Sequence, residues 1–424
     1  MRLTIANHPV SEIKFAESSV LGGSALSISE TELRRLLLED ERLESVQIEL
    51  VSAGESCRIG GVVDVIEPRA KDPADGSDFP GALGPMRLAG RGTTHALGGV
   101  AVTVLGGGSG FAQAGGIIEM TGPWAEYSPF AGLHHVVVTP RPRADLPRNV
   151  ALNARNLAGL KAAVYLARTA MQQEPVSRQI YESNGPAGPH DEGVPRFAYI
   201  GQVHSRQRVA EAQEHILYGH NTNGMTPVVL HPNEWLDGAL LAGNVGMNVH
   251  TYFYQNHPII TELYRWQQEG KITLVGTIAT VAGSDNFDRE LNCTMSAELA
   301  KWNLAADAVI LTKVGGGAPH ADMGLTAHLC EQMGIQTAVM VGPPNLSPER
   351  TVESATLFNY EDVNAIVFNS GGRLFELPVA SVERVVASTP DAAEDLFALK
   401  SLDASAVSGV TSQQGAQTLK TFVY

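Results

Sequence analysis

Continuous apolar runs separated by helical segments constrain this chain more than any other feature. From Arg196 onward the runs are Phe197–Gly201, Val228–Leu230, Ile272–Ile278, Ala308–Lys313, Thr337–Val341 and Ala365–Asn369. Between them lie a polar helical stretch through His215 and the helical patterns Ile259–Gln268, Ser296–Ala305 and His320–Met333. Apolar strands alternating with helices imply a parallel sheet covered on both faces. Glycine-bearing loops follow several of these strands: Val314–His320, Gly342–Asn345 and Ser370–Gly372. Open sheets of this kind place ligands beyond the carboxyl ends of their strands. The loops are therefore expected to converge with the polar cluster His231–Glu234, which follows the run Val228–Leu230, on one cleft.

The first half has a different texture. Alternating runs such as Leu3–Ile5 and Val46–Leu50 flank SETELRRLLLEDERLESV, a helix with Ser29 as its cap and Glu32 three residues on. Residues 61–69 form a strand closing into a loop, and 71–81, KDPADGSDFPG, an exposed connector. Strand-like runs at Val100–Leu105 and His135–Thr139 flank a loop holding Glu119, Trp124, Glu126 and Tyr127. His134 and His135 are strand neighbours, so one ring is expected in the core and the other in solvent. Residues 150–173 carry apolar positions at helical spacing. The fold class is thus α/β, with a β-rich amino-terminal domain (1–175), a linker rich in Gly, Pro and charge (176–195), a parallel-sheet α/β domain (196–386) and a polar tail (387–424) outside the core.

The formal net charge is −15, so a nucleic-acid backbone is not expected as a partner. No apolar run approaches the roughly 20 residues that cross a membrane. The opening MRLTIANHPVSEIKF has no cationic region followed by an apolar one, so a cytoplasmic location is expected. Three cysteines, Cys57, Cys293 and Cys330, are spaced for neither a disulfide framework nor a zinc knuckle. Cys57 reads as part of a turn and Cys330 as core. Cys293 is placed just before a helix.

The densest polar stretch is TPVVLHPNEWLDGALLAGNVGMN, residues 226–248. By shape it is a strand-to-helix loop with Asn233 as a helix cap. A hydrolytic metal site assembled from His231, Glu234, His320 and Asp322 has suitable donors but no ligand spacing, and no metal is expected. GGGSG at 106–110 lacks the helix and lysine of a phosphate loop.

Several motifs in order resemble one family: LESVQIEL, GESCRI, VVDVIEPR, RGTTHALGGVAV, GIIEMTGPWAEYSPF and LHPNEWLDGALLAGN. Together they resemble the component B precursor subunit of glycine, sarcosine and betaine reductases, with the D-proline reductase precursor a more distant relative. The resemblance runs from Arg2 to Pro378. It implies a precursor that cleaves itself at a cysteine and converts the new amino-terminal residue into a pyruvoyl group. That ketone forms a Schiff base with the substrate's amino group. A partner subunit carrying selenocysteine or cysteine then attacks the α-carbon and releases the amine. The cleaved cysteine is expected directly after Gly243-Asn244, where this chain has Val245. Valine has neither a nucleophilic atom nor a leaving group, so neither self-cleavage nor pyruvoyl is expected. Asn292-Cys293 is the remaining Asn-Cys pair, and its surroundings do not resemble the cleavage motif.

The resemblance further implies a pocket in which His231, Glu234 and Asn244 are catalytic, with His231 or Glu234 transferring protons. His95, Glu126, Tyr127, Asn233, Asp237 and His320 would bind substrate. A purely structural role for the motif residues, capping turns and tying the two domains, stands beside that reading. The implied activity is reductive cleavage of a C–N or related C–heteroatom bond of a small polar substrate, within a hetero-oligomer containing a thiol- or selenol-bearing subunit. The alternatives are a non-catalytic scaffold subunit of such a complex and a metal-dependent lyase or hydrolase on the same pocket.

Overall fold

The computed structural model describes all residues except 107–115, 189–190, 204–217, 219–221, 223, 243–248, 284, 315–317, 342–359, 369–375, 411, 413 and 415–424. The expectations placed on the helix through His215, the GGGSG loop, Asn244, Gly342–Asn345 and Ser370–Gly372 fall outside the described residues.

The carboxyl half is built as its apolar runs imply. Arg196–Gln202, Thr273–Thr280, Ala308–Thr312, Gln336–Val341 and Ala365–Phe368 form a parallel sheet. The first strand lies between the second and third, with the fourth and fifth beyond the third. Val228–Leu230 joins the edge beside Thr273–Thr280 but runs antiparallel, Leu230 opposite Thr277. Helices Asn286–Glu298 and Ala318–Gln332 cover one face through Ala297, Met323, Ala327 and Cys330. Trp235, Tyr254, Leu263 and Tyr264 cover the other.

The amino half holds two larger sheets. One has the order Ser177–Glu182, Arg2–Pro9, Gly92–Gly98, Arg69–Lys71. The other runs Gly116–Glu119, Cys57–Ile66, Val100–Leu105, His134–Pro142, Leu43–Val51, with Arg384–Val386 added beside Cys57–Ile66. Helix Arg148–Arg168 packs its alanine-rich surface between these sheets. Leu3, Ile5 and Ala96 of the first sheet share a core with Tyr199, Trp235 and Leu274 of the parallel-sheet half. The two halves thus bury apolar surface against each other.

Several sequence boundaries are corrected. The expected linker 176–195 contributes strand Ser177–Glu182, which pairs along Arg2–Asn7. Its exposed, polar residues hide it, because an edge strand is held by backbone bonds that composition does not reveal. The expected tail supplies helix Pro390–Ala398 and strand Ser401–Asp403, and it buries Leu402, Ala404, Val407 and Val410 with Trp124. Four apolar positions spread through a polar stretch are enough to dock it. Helix Asn286–Glu298 begins ten residues before the expected Ser296, because Asp285 caps it by accepting from the amide of Asp288 at 2.9 Å. Cys293 therefore lies inside a helix. Cys57 opens a buried strand, not a turn.

Local expectations that rest on chemistry fare better. Ser29 accepts from the amide of Glu32 at 3.3 Å. Its own amide is met by Ser19 Oγ, which leaves the Glu32 carboxylate to accept from Tyr165. His135 is fully buried between Thr103 Oγ1 at 2.7 Å and the Phe130 carbonyl at 2.8 Å, while His134 is half-buried, as strand alternation requires.

Candidate functional site

The motif at 231–237 forms a short helix, Pro232–Leu236, between the two halves. Proline at its first position suits the preset backbone angle. His231, not Asn233, is the cap. Its Nδ1 accepts from the amide of Asn233 at 3.2 Å, and Glu234 Oε2 accepts from the His231 amide at 2.6 Å. His231 Nε2 meets the Ser183 carbonyl at 3.1 Å. Glu234 Oε1 accepts from the Tyr218 hydroxyl. Burial pushes the Glu234 carboxyl above its ordinary value, with the bonds from Tyr218 and His231 opposing, and burial pushes the His231 ring down.

Asn233 and Asp237 reach into the amino-terminal half. Asn233 is fully buried; its Nδ2 donates to the carbonyls of Gly90 at 3.0 Å and Tyr181 at 3.2 Å, and its Oδ1 accepts from Tyr264. Gly90 has φ 87°, and a Cβ there would lie 2.8 Å from that of Asn233, so glycine is required at this approach. Asp237 Oδ2 accepts from Lys71 Nζ at 2.6 Å and the Gly90 amide at 2.7 Å, and Oδ1 from Thr94 Oγ1 at 2.6 Å. A cavity of about 20 Å³ beside Lys71, Thr94 and Asp237 is the size of one water at most. The polar atoms of these motif side chains are already engaged, which is how a buried tie between domains is satisfied.

The remaining candidates lie elsewhere. His95 neighbours Thr94 on one strand and so faces away from Asp237; its Nδ1 lies 3.0 Å from His8 Nε2 and the two rings stack. Glu126 is exposed in the turn Pro123–Glu126, and Tyr127 packs edge-on to Trp124 over the carboxyl-terminal segment. Asn244 lies outside the described residues. His320 sits in the first turn of Ala318–Gln332, beyond the carboxyl end of Ala308–Thr312.

The expected single cleft is therefore corrected. Because Val228–Leu230 runs antiparallel, its carboxyl end, and with it His231–Asp237, falls at the amino end of the parallel strands. Ser183 marks the place: its carbonyl meets His231 and its hydroxyl donates to Leu274 O at 2.9 Å, at the start of Thr273–Thr280. His320 and Asp322 lie at the opposite end. The four-residue metal set is not brought together, and among the described residues no group of three or more His, Cys, Asp or Glu is arranged to hold a metal ion.

Sequence reasoning missed the tie's partners, Lys71, Thr94, Tyr218 and Tyr264. It also missed Asp64, which is buried and accepts from the Thr251 amide at 2.8 Å and hydroxyl at 2.7 Å. Asp64 had a signal, a lone charge inside the apolar run GVVDVI. At the opposite end Lys313 had the same one, closing AVILTK.

The cysteines bear on self-processing. Cys293 Sγ donates to the Asp322 carbonyl at 3.2 Å, and burial pushes its thiol up to about 12. Burial pushes Cys57 and Cys330 up to about 12 as well. A thiol attacking the preceding carbonyl acts as thiolate. The Asn292 carbonyl before Cys293 accepts from Ser296 Oγ at 2.7 Å, within the helix. Position 245, where the resemblance places the cleaved cysteine, holds valine, whose side chain has no nucleophilic atom.

A β-rich layer tied to a parallel α/β sheet by the HPNE-containing helix is the architecture in hand. This chain belongs to the family of glycine/sarcosine/betaine reductase component B subunits, whose model matches residues 1–383. It is 33% identical over 344 residues to the glycine reductase complex component B subunits alpha and beta of Acetoanaerobium sticklandii, spanning 80% of this chain and 79% of that one. It is 30% identical over 382 residues to the sarcosine reductase complex component B subunit alpha of Peptoclostridium acidaminophilum, spanning 89% and 87%. The betaine reductase complex component B subunit alpha of the same organism is 31% identical over 392 residues. No solved structure gives a match.

Proposed function

We propose that this chain is the substrate-handling subunit of a reductase complex, acting with a thiol- or selenol-bearing partner and without self-cleavage. In the reaction the partner's sulfur or selenium bonds to a carbon of a small polar substrate. The C–N or related bond breaks, its electron pair leaves with the heteroatom, and that atom takes a proton. The observation that carries this reading is the family match across nearly the whole chain, combined with valine at position 245. The buried, protonated state of all three thiols supports an unprocessed chain.

The mass of the purified chain, before and after a carbonyl-trapping reagent, tests the absence of processing. One unmodified species at 45.1 kDa is expected. Two fragments, one trapped as a ketone, overturn it. Turnover of the reconstituted complex tests the reaction.

A non-catalytic scaffold role draws on one specific observation, that His231, Asn233, Glu234 and Asp237 all spend their polar atoms inside the protein. Glu234→Gln separates the two readings. Loss of turnover with the complex intact supports proton transfer by Glu234; unchanged turnover removes Glu234 from the chemistry.

A further inference from the structure

The helix Arg148–Arg168 packs its alanines inward, and another of its faces borders a cavity. Lys161, Val164, Tyr165 and Arg168 recur at helical spacing and line it together. The other walls are Glu32 and Leu36 of helix Glu30–Leu37 and parts of the connector, among them Leu83, Pro85 and Arg87. The cavity measures about 730 Å³, within the roughly 300–1,000 Å³ that holds small organic ligands.

Its charges are unevenly satisfied. Lys161 Nζ has no hydrogen bond or ion pair among the described residues, and the Asp40 carboxylate on which its charge acts is already held by Arg42 at 2.6 Å. Arg168 is 61% exposed and gives one Nη2 bond to Asp78 Oδ2 at 2.7 Å, which leaves its other donors open. Arg87 is exposed and unbonded among the described residues. Of the two carboxylates in the lining, Asp78 has both oxygens engaged, since Oδ1 accepts from the Lys71 amide at 2.7 Å. Glu32 accepts from the Tyr165 hydroxyl at 2.7 Å. Lys71 adds only its alkyl stem, because its ammonium is held by Thr94 and Asp237. Three cations with donors to spare, gathered in a chain of net charge −15, favour an anionic ligand.

We propose that this cavity binds an elongated dicarboxylate with an apolar middle. Lys161 and Arg168 stand two helical turns apart, about 10 Å along the axis at roughly 1.5 Å per residue. Each takes one carboxylate through charge-assisted hydrogen bonds. Val164 lies between them on the same face, and Leu36, Leu83 and Pro85 on the other walls complete an apolar bed for the connecting chain. Glu32 and Asp78 repel a doubly charged group, so a single charge at each end suits the site better than a phosphate. The site is separate from the reductase reading and does not depend on it.

Calorimetric titration of the purified full chain with succinate, adipate, suberate, sebacate and octanoate tests this. Affinity is expected to rise with chain length and to peak at suberate or sebacate, about tenfold or more above succinate. Octanoate, with the length of suberate and one charge fewer, is expected to bind about tenfold more weakly than suberate. Lys161→Met and Arg168→Gln are each expected to bring suberate down to the level of octanoate. Circular dichroism and melting curves establish that the variants are folded; should Arg168→Gln fail to fold, Lys161→Met and the wild-type length series still decide. No binding of any dicarboxylate by the wild type, octanoate binding as tightly as suberate, or a folded Lys161→Met with unchanged affinity each overturns the site.

Discussion

Lys71 Nζ lies 2.6 Å from Asp237 Oδ2, and both side chains are 5% exposed. Lys71 ends a strand of the amino-terminal sheet, and Asp237 follows the HPNE helix of the parallel-sheet half. Thr94 Oγ1 and the Gly90 amide complete the carboxylate's shell. Removing one partner strands the other as a buried charge. Asp237→Ala is therefore expected to destabilise the chain by about 3–5 kcal/mol. The double variant Lys71→Met/Asp237→Leu should lose less than Asp237→Ala alone. Urea denaturation of both variants checks this, and equal losses would count against the pair as a coupled tie.

Asn233 predicts a second loss at the same junction. Asn233→Leu leaves the Gly90 and Tyr181 carbonyls and the Tyr264 hydroxyl without their partner. At roughly 1–3 kcal/mol for each orphaned buried group, several kcal/mol should disappear from the unfolding free energy. A variant as stable as wild type would mean that these groups find other partners.

The pH dependence is set by opposing buried groups. Burial lowers His135 to about 4, and His250 and His257 to about 3. Their folded values lie below the ordinary 6.5, so the unfolded chain binds more protons and stability is lost as pH falls below about 6.5. Asp64 acts in the other sense. Burial raises it to about 7, so its charge destabilises the fold at neutral pH and protonation relieves this. Between pH 7 and 5 the three histidines cost on the order of 6 kcal/mol and Asp64 returns on the order of 2 kcal/mol. The chain should be less stable at pH 5 than at pH 7. Asp64→Asn removes the opposing group, so its loss over the same interval should be steeper. A shallower loss in Asp64→Asn would show that Asp64 is not the compensating group.

All three thiols are buried, and burial pushes each up to about 12. The native chain is expected to resist iodoacetamide at pH 8 and to take up three labels once unfolded, read by mass. Rapid native labelling of Cys293 would mean that its helix opens.

The carboxyl-terminal segment should behave as part of the core. Removing residues 387–424 strips Leu402 and Val407 from Trp124 and takes away the Leu396 carbonyl that accepts from buried Arg58. At roughly 1.5–3 kcal/mol for each large apolar side chain uncovered, the truncated chain should melt well below the full one. Its tryptophan emission should shift to the red, and Trp124→Phe should abolish most of that shift.

Much of this was legible in the residues. The strand runs after Arg196 and the cap at Ser29 follow from periodicity and side-chain chemistry, which act over a few positions. The family motifs also stand in the linear order. The partners of Asp237 were not legible, because Lys71 and Thr94 are separated from it by well over a hundred residues and meet it through the pairing of two sheets. The carboxyl end of the parallel sheet was half legible: His320 drew notice as a histidine after a glycine loop, whereas Gln202 and Lys313 become neighbours through strand register alone.

By itself the sequence determined the alternation that makes a parallel sheet, the family, and the absence of a nucleophile at position 245. Tertiary structure decided which end of that sheet each polar motif occupies. The run Val228–Leu230 carries no sign of its direction, since three apolar residues pair equally well either way. Its antiparallel docking against Thr273–Thr280 sent the HPNE helix to the amino end, where its polar groups tie the two halves together. The carboxyl end was left to Gln202, Lys313 and His320.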